Sequence, residues 1–234
     1  MSGWREFWNR PNRIYVNERH LAVHYARVAD DILGLAPGGG AVLLDYGCGE
    51  ALEAGRVSAA VGRLHLYDAA PETRARLRAR HGANPGISVL DEAGLDRLPA
   101  GAIDLILVNS VIQYLSREEL EALLGRCRAW LAPGGRLVVA DVIPPGGSAA
   151  ADALSLLRTA RRHGFLGAAL AGLAATLFSD YRRMRQSLGL STYTPEAFAG
   201  LAAQAGFAAA REPRNFGFNP RRMTFTLRPR AGAA

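Results

Sequence analysis

The sequence predicts an α/β protein with a mostly parallel, seven-stranded sheet, helices on both faces and a C-terminal antiparallel hairpin. Three observations predict it. Short apolar runs at 41–45, 64–68, 86–91, 103–109 and 137–141 end in acids or small polar residues. Such runs suit parallel strands buried on both faces. Segments with apolar residues at three- and four-residue steps separate several of them. Finally, Met223-Thr224-Phe225-Thr226-Leu227 alternates polar and apolar residues, as a half-buried hairpin strand does.

Length and composition set the bounds. A chain of 234 residues suits one domain. It divides into an N-terminal arm and helix (1–36), a core (40–143), a helical lid insertion (144–193), and a C-terminal helix and hairpin (194–228). With 49% hydrophobic residues, a sizeable core is available. Cys48 and Cys127 make no disulfide framework. No apolar run reaches the roughly 18 residues needed to span a bilayer, and Met1 to Arg13 shows no secretory signal, so a cytoplasmic location is expected. The net charge is +7, which invites nucleic acid or an anionic membrane as partner. The chain contains no lysine, however, and its arginines are scattered and partly answered by acids. That pattern argues against a nucleic-acid surface.

Trp4, Phe7, Trp8, Ile14 and Tyr15 mark an arm that packs onto something. Leu21, Tyr25, Val28 and Ile32 form the apolar stripe of a helix over 18–33. His20 and His24 lie on a neighbouring face; two histidines four apart can hold a metal, but no third ligand is evident, and no metal is expected. Ala41 to Asp45 is the first strand. It feeds Gly47-Cys48-Gly49, where glycines allow a tight turn or a close approach, and a helical segment to Ala60. Helix N-termini offer unpaired N–H groups to a ligand. Cys48 is small enough for the loop and reads as packing. Counting from Gly47, the dinucleotide pattern wants a third glycine where Leu52 stands. A carboxylate at Asp45 would repel a pyrophosphate and attract a cation.

Leu64 to Asp68 is the second strand. Asp68 is placed to accept bonds from two ribose hydroxyls, or to cap the helix that Pro71 and Glu72 begin. Gly86 to Asp91 is the third strand. Ile103 to Asn109 is the fourth, and it leads into Ser110-Val111-Ile112-Gln113-Tyr114. Ser116 and Glu119 form a capping box for a helix that buries Leu120, Leu123, Leu124, Cys127 and Leu131. Pro133-Gly134-Gly135 is a turn into the fifth strand, and Asp141 ends that strand on the side where open α/β sheets bind ligands.

Helical residues follow from Ala149 to Thr192. Leu166, Leu170, Leu173, Leu177, Tyr181 and Met184 make one stripe. Core packing of a lid, a greasy wall for an acceptor, or peripheral membrane contact through 164–178 are the open readings. Thr194-Pro195-Glu196 starts a helix that ends at Gly206.

The acid followed by Gly-x-Gly at 45–49, and helix, Pro-Gly-Gly turn and apolar strand at 131–141, resemble the class I S-adenosylmethionine-dependent methyltransferases. The resemblance covers roughly 40–143 well and 194–228 loosely. Ala51 stands where the family often has a third glycine. It implies a Rossmann-like fold and S-adenosyl-L-methionine as cofactor. It places Asp45, Gly47, Cys48, Gly49, Asp68, Asp91, Glu92, Asn109 and Ser110 around that donor. An N-terminal helix often covers the cleft, which adds Tyr15, His20 and His24. Gln113, Tyr114 and Tyr193 are then candidate acceptor contacts, with Gln113 standing where the family often has histidine. No catalytic base stands out; His163, His24, His20 and Tyr114 are the pool. A small, possibly apolar O, N or C acceptor is the first expectation. An RNA methyltransferase, a non-catalytic adenosyl-binding module and a nicotinamide-dependent oxidoreductase are the alternatives. The acceptor and the oligomeric state are not legible.

Overall fold

The computed structural model describes residues 15–146, 149–176 and 190–230. The strands are β1 (Val42–Tyr46), β2 (Arg63–Tyr67), β3 (Ile87–Leu90), β4 (Ile103–Asn109), β5 (Leu131–Val142), β6 (Phe207–Arg211) and β7 (Met223–Pro229). They form one sheet in the order β3-β2-β1-β4-β5-β7-β6. The first five are parallel, and β7 runs antiparallel to both β5 and β6. The order reverses between β1 and β4, which opens a crevice at the carboxyl ends of those strands.

The helices are α1 (Glu18–Leu33), α2 (Ala54–Ser58), α3 (Pro71–His81), α4 (Glu92–Asp96), α5 (Arg117–Trp130), α6 (Ala149–His163), α7 (Leu166–Thr176) and α8 (Pro195–Gln204). Their starts follow from local chemistry. The Asn17 side chain accepts from the His20 N–H at 2.8 Å and caps α1. Ser116 and Glu119 close the predicted capping box on α5. Thr194 caps α8, with Pro195 in its first turn.

Strand alternation sorts the core into two faces. Leu44, Ile106, Val108, Leu137 and Val139 pack with Leu124 and Cys127 of α5 and Phe198 of α8. Leu43, Leu105, Leu107, Val138 and Ala140 point the other way, against Val28 and Ile32 of α1, Val57 of α2 and Leu77 of α3. With helices on both faces, the strands can be apolar throughout.

Four local expectations change. The helix after the glycine loop is only Ala54–Ser58. A short helix, α4, follows Asp91, which caps it by accepting from the Gly94 N–H at 2.9 Å. The Pro-Gly-Gly segment is not a free turn: Ile103 pairs with Leu131 and Leu105 with Arg136, so 132–135 bulge out within β5. Gly134, at φ 79°, makes that bulge possible.

The fourth change concerns 144–193. Gly164, at φ 76°, breaks the helical run into α6 and α7. Ala160, Phe165 and Ala169 form a small third cluster with Val16, Val23, Leu156 and Leu157, separate from the two that cover the sheet. The expected stripe is not its core: Leu166 is 39% and Leu170 54% exposed. The expectations for Trp4, Phe7, Trp8, Ile14, Leu177, Tyr181 and Met184 lie outside the described residues. No helix among the described residues is long and apolar enough to cross a membrane.

Candidate active site

The loop after β1 is built by close approach. Gly47 and Gly49 have φ of 81° and 58°, a region that favours glycine. A Cβ on Gly47 would strike a Val111 methyl, and one on Gly49 would come within 2.5 Å of the Tyr25 hydroxyl oxygen. The expectation of free loop N–H groups is corrected here. The Gly47 and Cys48 N–H groups donate to the Tyr67 carbonyl at 2.7 and 3.1 Å. Gly49 donates to Asp68 Oδ2 at 3.0 Å. Glu50 donates to the Tyr25 hydroxyl at 2.7 Å. All these donors are engaged inside the protein, which leaves the acids as the unspent polar groups at this edge of the sheet.

Asp45 is buried at 7% exposure, and no described residue hydrogen-bonds or ion-pairs its carboxylate. Burial, then the charge of Asp68, pushes its carboxyl up to about 7. Asp68 accepts the Gly49 bond on one oxygen and the Ala70 N–H at 2.9 Å on the other. Each oxygen keeps a further lone pair. Burial raises the Asp68 carboxyl, and the bonds from Ala70 and Gly49 partly offset this. A buried acid and a half-buried one at neighbouring strand ends are suited to a cationic ligand that also presents hydroxyls.

Asp45 sets a pH dependence. Its folded value lies above its unfolded one, so the free protein keeps the associated stability below about pH 4 and loses it as pH rises through 7. Relative to Asp45→Asn, the wild type should lose on the order of a few kcal/mol of stability across that window. Urea unfolding at several pH values measures this; parallel curves for the two proteins would sink the assignment.

The remaining residues expected at the donor are differently engaged. Cys48 is buried, and burial raises its thiol well above the ordinary range, which suits packing. The Asp91 carboxyl caps α4 and is held low by the Gly94 N–H. Glu92 pairs with Arg74 at 3.2 Å and accepts from the Tyr67 hydroxyl at 3.2 Å. Tyr15 sits 5.3 Å from both His20 and His24 and 6.1 Å from Tyr25, ring centre to ring centre.

A cavity of about 200 Å³ opens beside this region, at the ends of β4 and β5. Asn109, Ser110 and Asp141 form its floor, His20 and His24 come from α1, and Asp152 comes from α6. Ser110 and Asp141 hold φ of 57° and 62°, costly for residues with a Cβ and frequent at functional sites. The Ser110 hydroxyl donates to Asp141 Oδ2 at 2.9 Å. Burial raises the Asp141 carboxyl; the charge of Arg222 and the bonds from Ser110 and Asn215 pull the other way. His24 is pushed down to about 4 by burial, with His20 adding to the effect, so it is neutral at pH 7.

The loop between β6 and β7 closes the cavity and is tied down on three sides. Buried Asn215 accepts from the Asp141 N–H at 3.2 Å and the Thr224 hydroxyl at 2.9 Å. Asp31 of α1 accepts from the Gly217 N–H at 2.8 Å. Asp152 accepts from Asn219 at 2.9 Å and pairs with Arg222 at 2.8 Å.

The structure does not bring every candidate to this cavity. Gln113 is buried, and its Oε1 meets no donor; its carbonyl accepts from the Ser191 N–H at 2.9 Å. Tyr193 packs edge-on to Phe198 at 5.9 Å. Tyr114 ends a short 3-10 turn, Ile112–Tyr114. None of these three lines the cavity. His163 lines a second, outer one. Sequence reasoning missed Tyr25, Asp152 and Asn215 as site residues and gave Asp141 no chemical role. The acid at a strand end was the one available signal.

No curated protein matches the sequence. Solved structures share the fold. The structure of DhpI in complex with SAH is 16% identical, with a TM-score of 0.60, over 99% of this chain and 95% of that one. The Burkholderia thailandensis 1,6-didemethyltoxoflavin-N1-methyltransferase is 19% identical, with a TM-score of 0.55, over 91% and 82%. The Haemonchus contortus phosphoethanolamine N-methyltransferase 1 is 13% identical, with a TM-score of 0.61; it is matched over 99% of this chain but only 49% of its own length. A family model described as a methyltransferase domain matches residues 43–135. That match runs from β1 to the start of β5, so this part of the chain is similar to a methyltransferase domain, and the whole chain shares the fold of those solved methyltransferases.

Proposed function

We propose that this chain is an S-adenosylmethionine-dependent methyltransferase that methylates a small molecule held in the cavity at the ends of β4 and β5, with Asp141 as the group that takes the acceptor's proton. The observation that carries the reading is a half-buried acid on that cavity floor, bonded to Ser110, beside a loop flanked by two more acids. The residues fit the donor. Asp45 is a buried acid without a cation partner among the described residues, suited to a ligand bearing sulfonium and ammonium charge. Asp68 has lone pairs left for sugar hydroxyls. Gly47 and Gly49 shape the shelf beneath. When bound, S-adenosylmethionine supplies a methyl group already activated on a sulfonium.

The protein's own tasks are alignment and proton handling. With the donor held by Asp45 and Asp68, the methyl group would pass to the acceptor's oxygen, nitrogen or carbon, and the sulfur would keep the electron pair as a neutral thioether. The acceptor's proton passes to the Asp141 carboxylate. Ser110 fixes one oxygen of that carboxylate, and neutral His24 lends a polar wall. Helix α6 serves as a lid; its Asp152 and Ser155 line the cavity. The bound molecules named for the solved relatives, phosphoethanolamine and 1,6-didemethyltoxoflavin, are both small, which supports a small acceptor.

Isothermal titration with S-adenosylhomocysteine, followed by a turnover screen of small phenols, amines and carboxylic acids, tests this. Binding plus transfer to one of these classes is expected. Binding without transfer across the screen would favour the non-catalytic module, and no binding would reject the donor site.

A further inference from the structure

We infer, building on the small-acceptor reading above, that the outer cavity is an oxyanion subsite: the acceptor carries a phosphate or carboxylate that seats among Arg158, Arg162 and Arg221. This cavity measures about 210 Å³, and its lining includes those three arginines and His163 but no Asp or Glu among the described residues. Arg158 and Arg162 stand one turn apart on α6, so they share a face. Arg221 reaches in from the loop between β6 and β7.

The nearby acids are already taken. Asp152 pairs with Arg222 and Asp31 with Arg27 and Arg214. Arg158, Arg162 and Arg221 have no ion pair with any described residue. Three planar guanidinium forks in one concavity suit a planar or tetrahedral oxyanion.

The outer cavity adjoins the inner one. Both are lined by Ser155, Thr159, Phe218 and Asn219. Along the pair the charge changes sign: Arg158, Arg162 and Arg221 outside, Asp141 and Asp152 inside. An acceptor with an oxyanion at one end and an O–H or N–H nucleophile at the other would enter in one orientation, because the inner acids repel its anionic end. The exposed Leu166 and Leu170 line neither cavity.

The test is a titration of inorganic phosphate into the full chain saturated with S-adenosylhomocysteine, at fixed ionic strength. Arg158→Gln/Arg162→Gln is compared with a control, Arg97→Gln/Arg230→Gln, which removes the same charge from exposed positions elsewhere. Millimolar phosphate binding is expected in the wild type and in the control, and about tenfold weaker binding in R158Q/R162Q. Its S-adenosylhomocysteine affinity should stay unchanged. No phosphate binding in the wild type, or equal weakening in the control, would overturn the subsite. Sedimentation with phosphatidylglycerol vesicles that is lost in R158Q/R162Q would assign the cations to a lipid headgroup and also overturn it. A wild type that binds phosphate but no S-adenosylhomocysteine rejects the donor reading instead, so the two failures are distinguishable.

Discussion

Asp68→Ala is expected to weaken S-adenosylhomocysteine binding roughly ten- to hundred-fold, the equivalent of about 1.5–3 kcal/mol for lost bonds to a charged group. The cause is double. The carboxylate has lone pairs for the sugar hydroxyls, and it also holds the loop through the Gly49 N–H at 3.0 Å and its own turn through Ala70 at 2.9 Å. Removing it leaves two N–H groups without acceptors, each costing about 1–3 kcal/mol where water cannot replace the bond. The variant should therefore melt earlier as well as bind less. Asp68→Asn separates the two effects: one amide oxygen can still serve Gly49, so it should recover stability more than affinity. Calorimetry on the three proteins reads both quantities. Unchanged affinity in Asp68→Ala would reject Asp68 as a donor contact.

Asp141→Asn is expected to reduce turnover by ~10²–10⁴-fold, the usual contribution of a positioned general base, while the donor still binds. The amide matches the carboxyl in shape, and its oxygen can still accept from Ser110. The pH profile distinguishes a proton acceptor from a merely structural residue. Burial raises the Asp141 carboxyl, so wild-type kcat/KM should climb with pH on a limb above the ordinary Asp range. That limb should vanish in the variant. A variant that keeps both the limb and the rate would remove Asp141 from the chemistry.

Much of the fold is legible in the sequence because it is written in local patterns. The apolar runs ending at Asp45, Asp68 and Asn109, the capping box at Ser116 and Glu119, and the alternation from Met223 to Leu227 each specify an element by themselves. The glycine loop is legible for the same reason, since Asp45, Gly47 and Gly49 are neighbours in the chain. The cavity at the ends of β4 and β5 is not. Asp141 meets Asn215 across 74 positions and Asp31 meets Gly217 across 186. Single polar residues at such separations carry no periodicity. Tyr25 was hidden differently: it satisfies the apolar stripe of α1, and nothing in that stripe says that its hydroxyl accepts the Glu50 N–H. The stripe at Leu166 and Leu170 misled because an Ala- and Gly-rich helix buries its small side chains. Ala169 goes inside and the leucines stay out.

Neighbouring strands β4 and β5 lead into or end near residues with a Cβ held in left-handed backbone, Ser110 and Asp141. Such conformations cost of the order of 1–3 kcal/mol each. Glycine at either position would relax the backbone while deleting the hydroxyl or the carboxyl that the bend aims into the cavity. Breeding this protein for heat tolerance alone would thus be drawn toward glycine at 110 and 141, and would discard the proton acceptor proposed above.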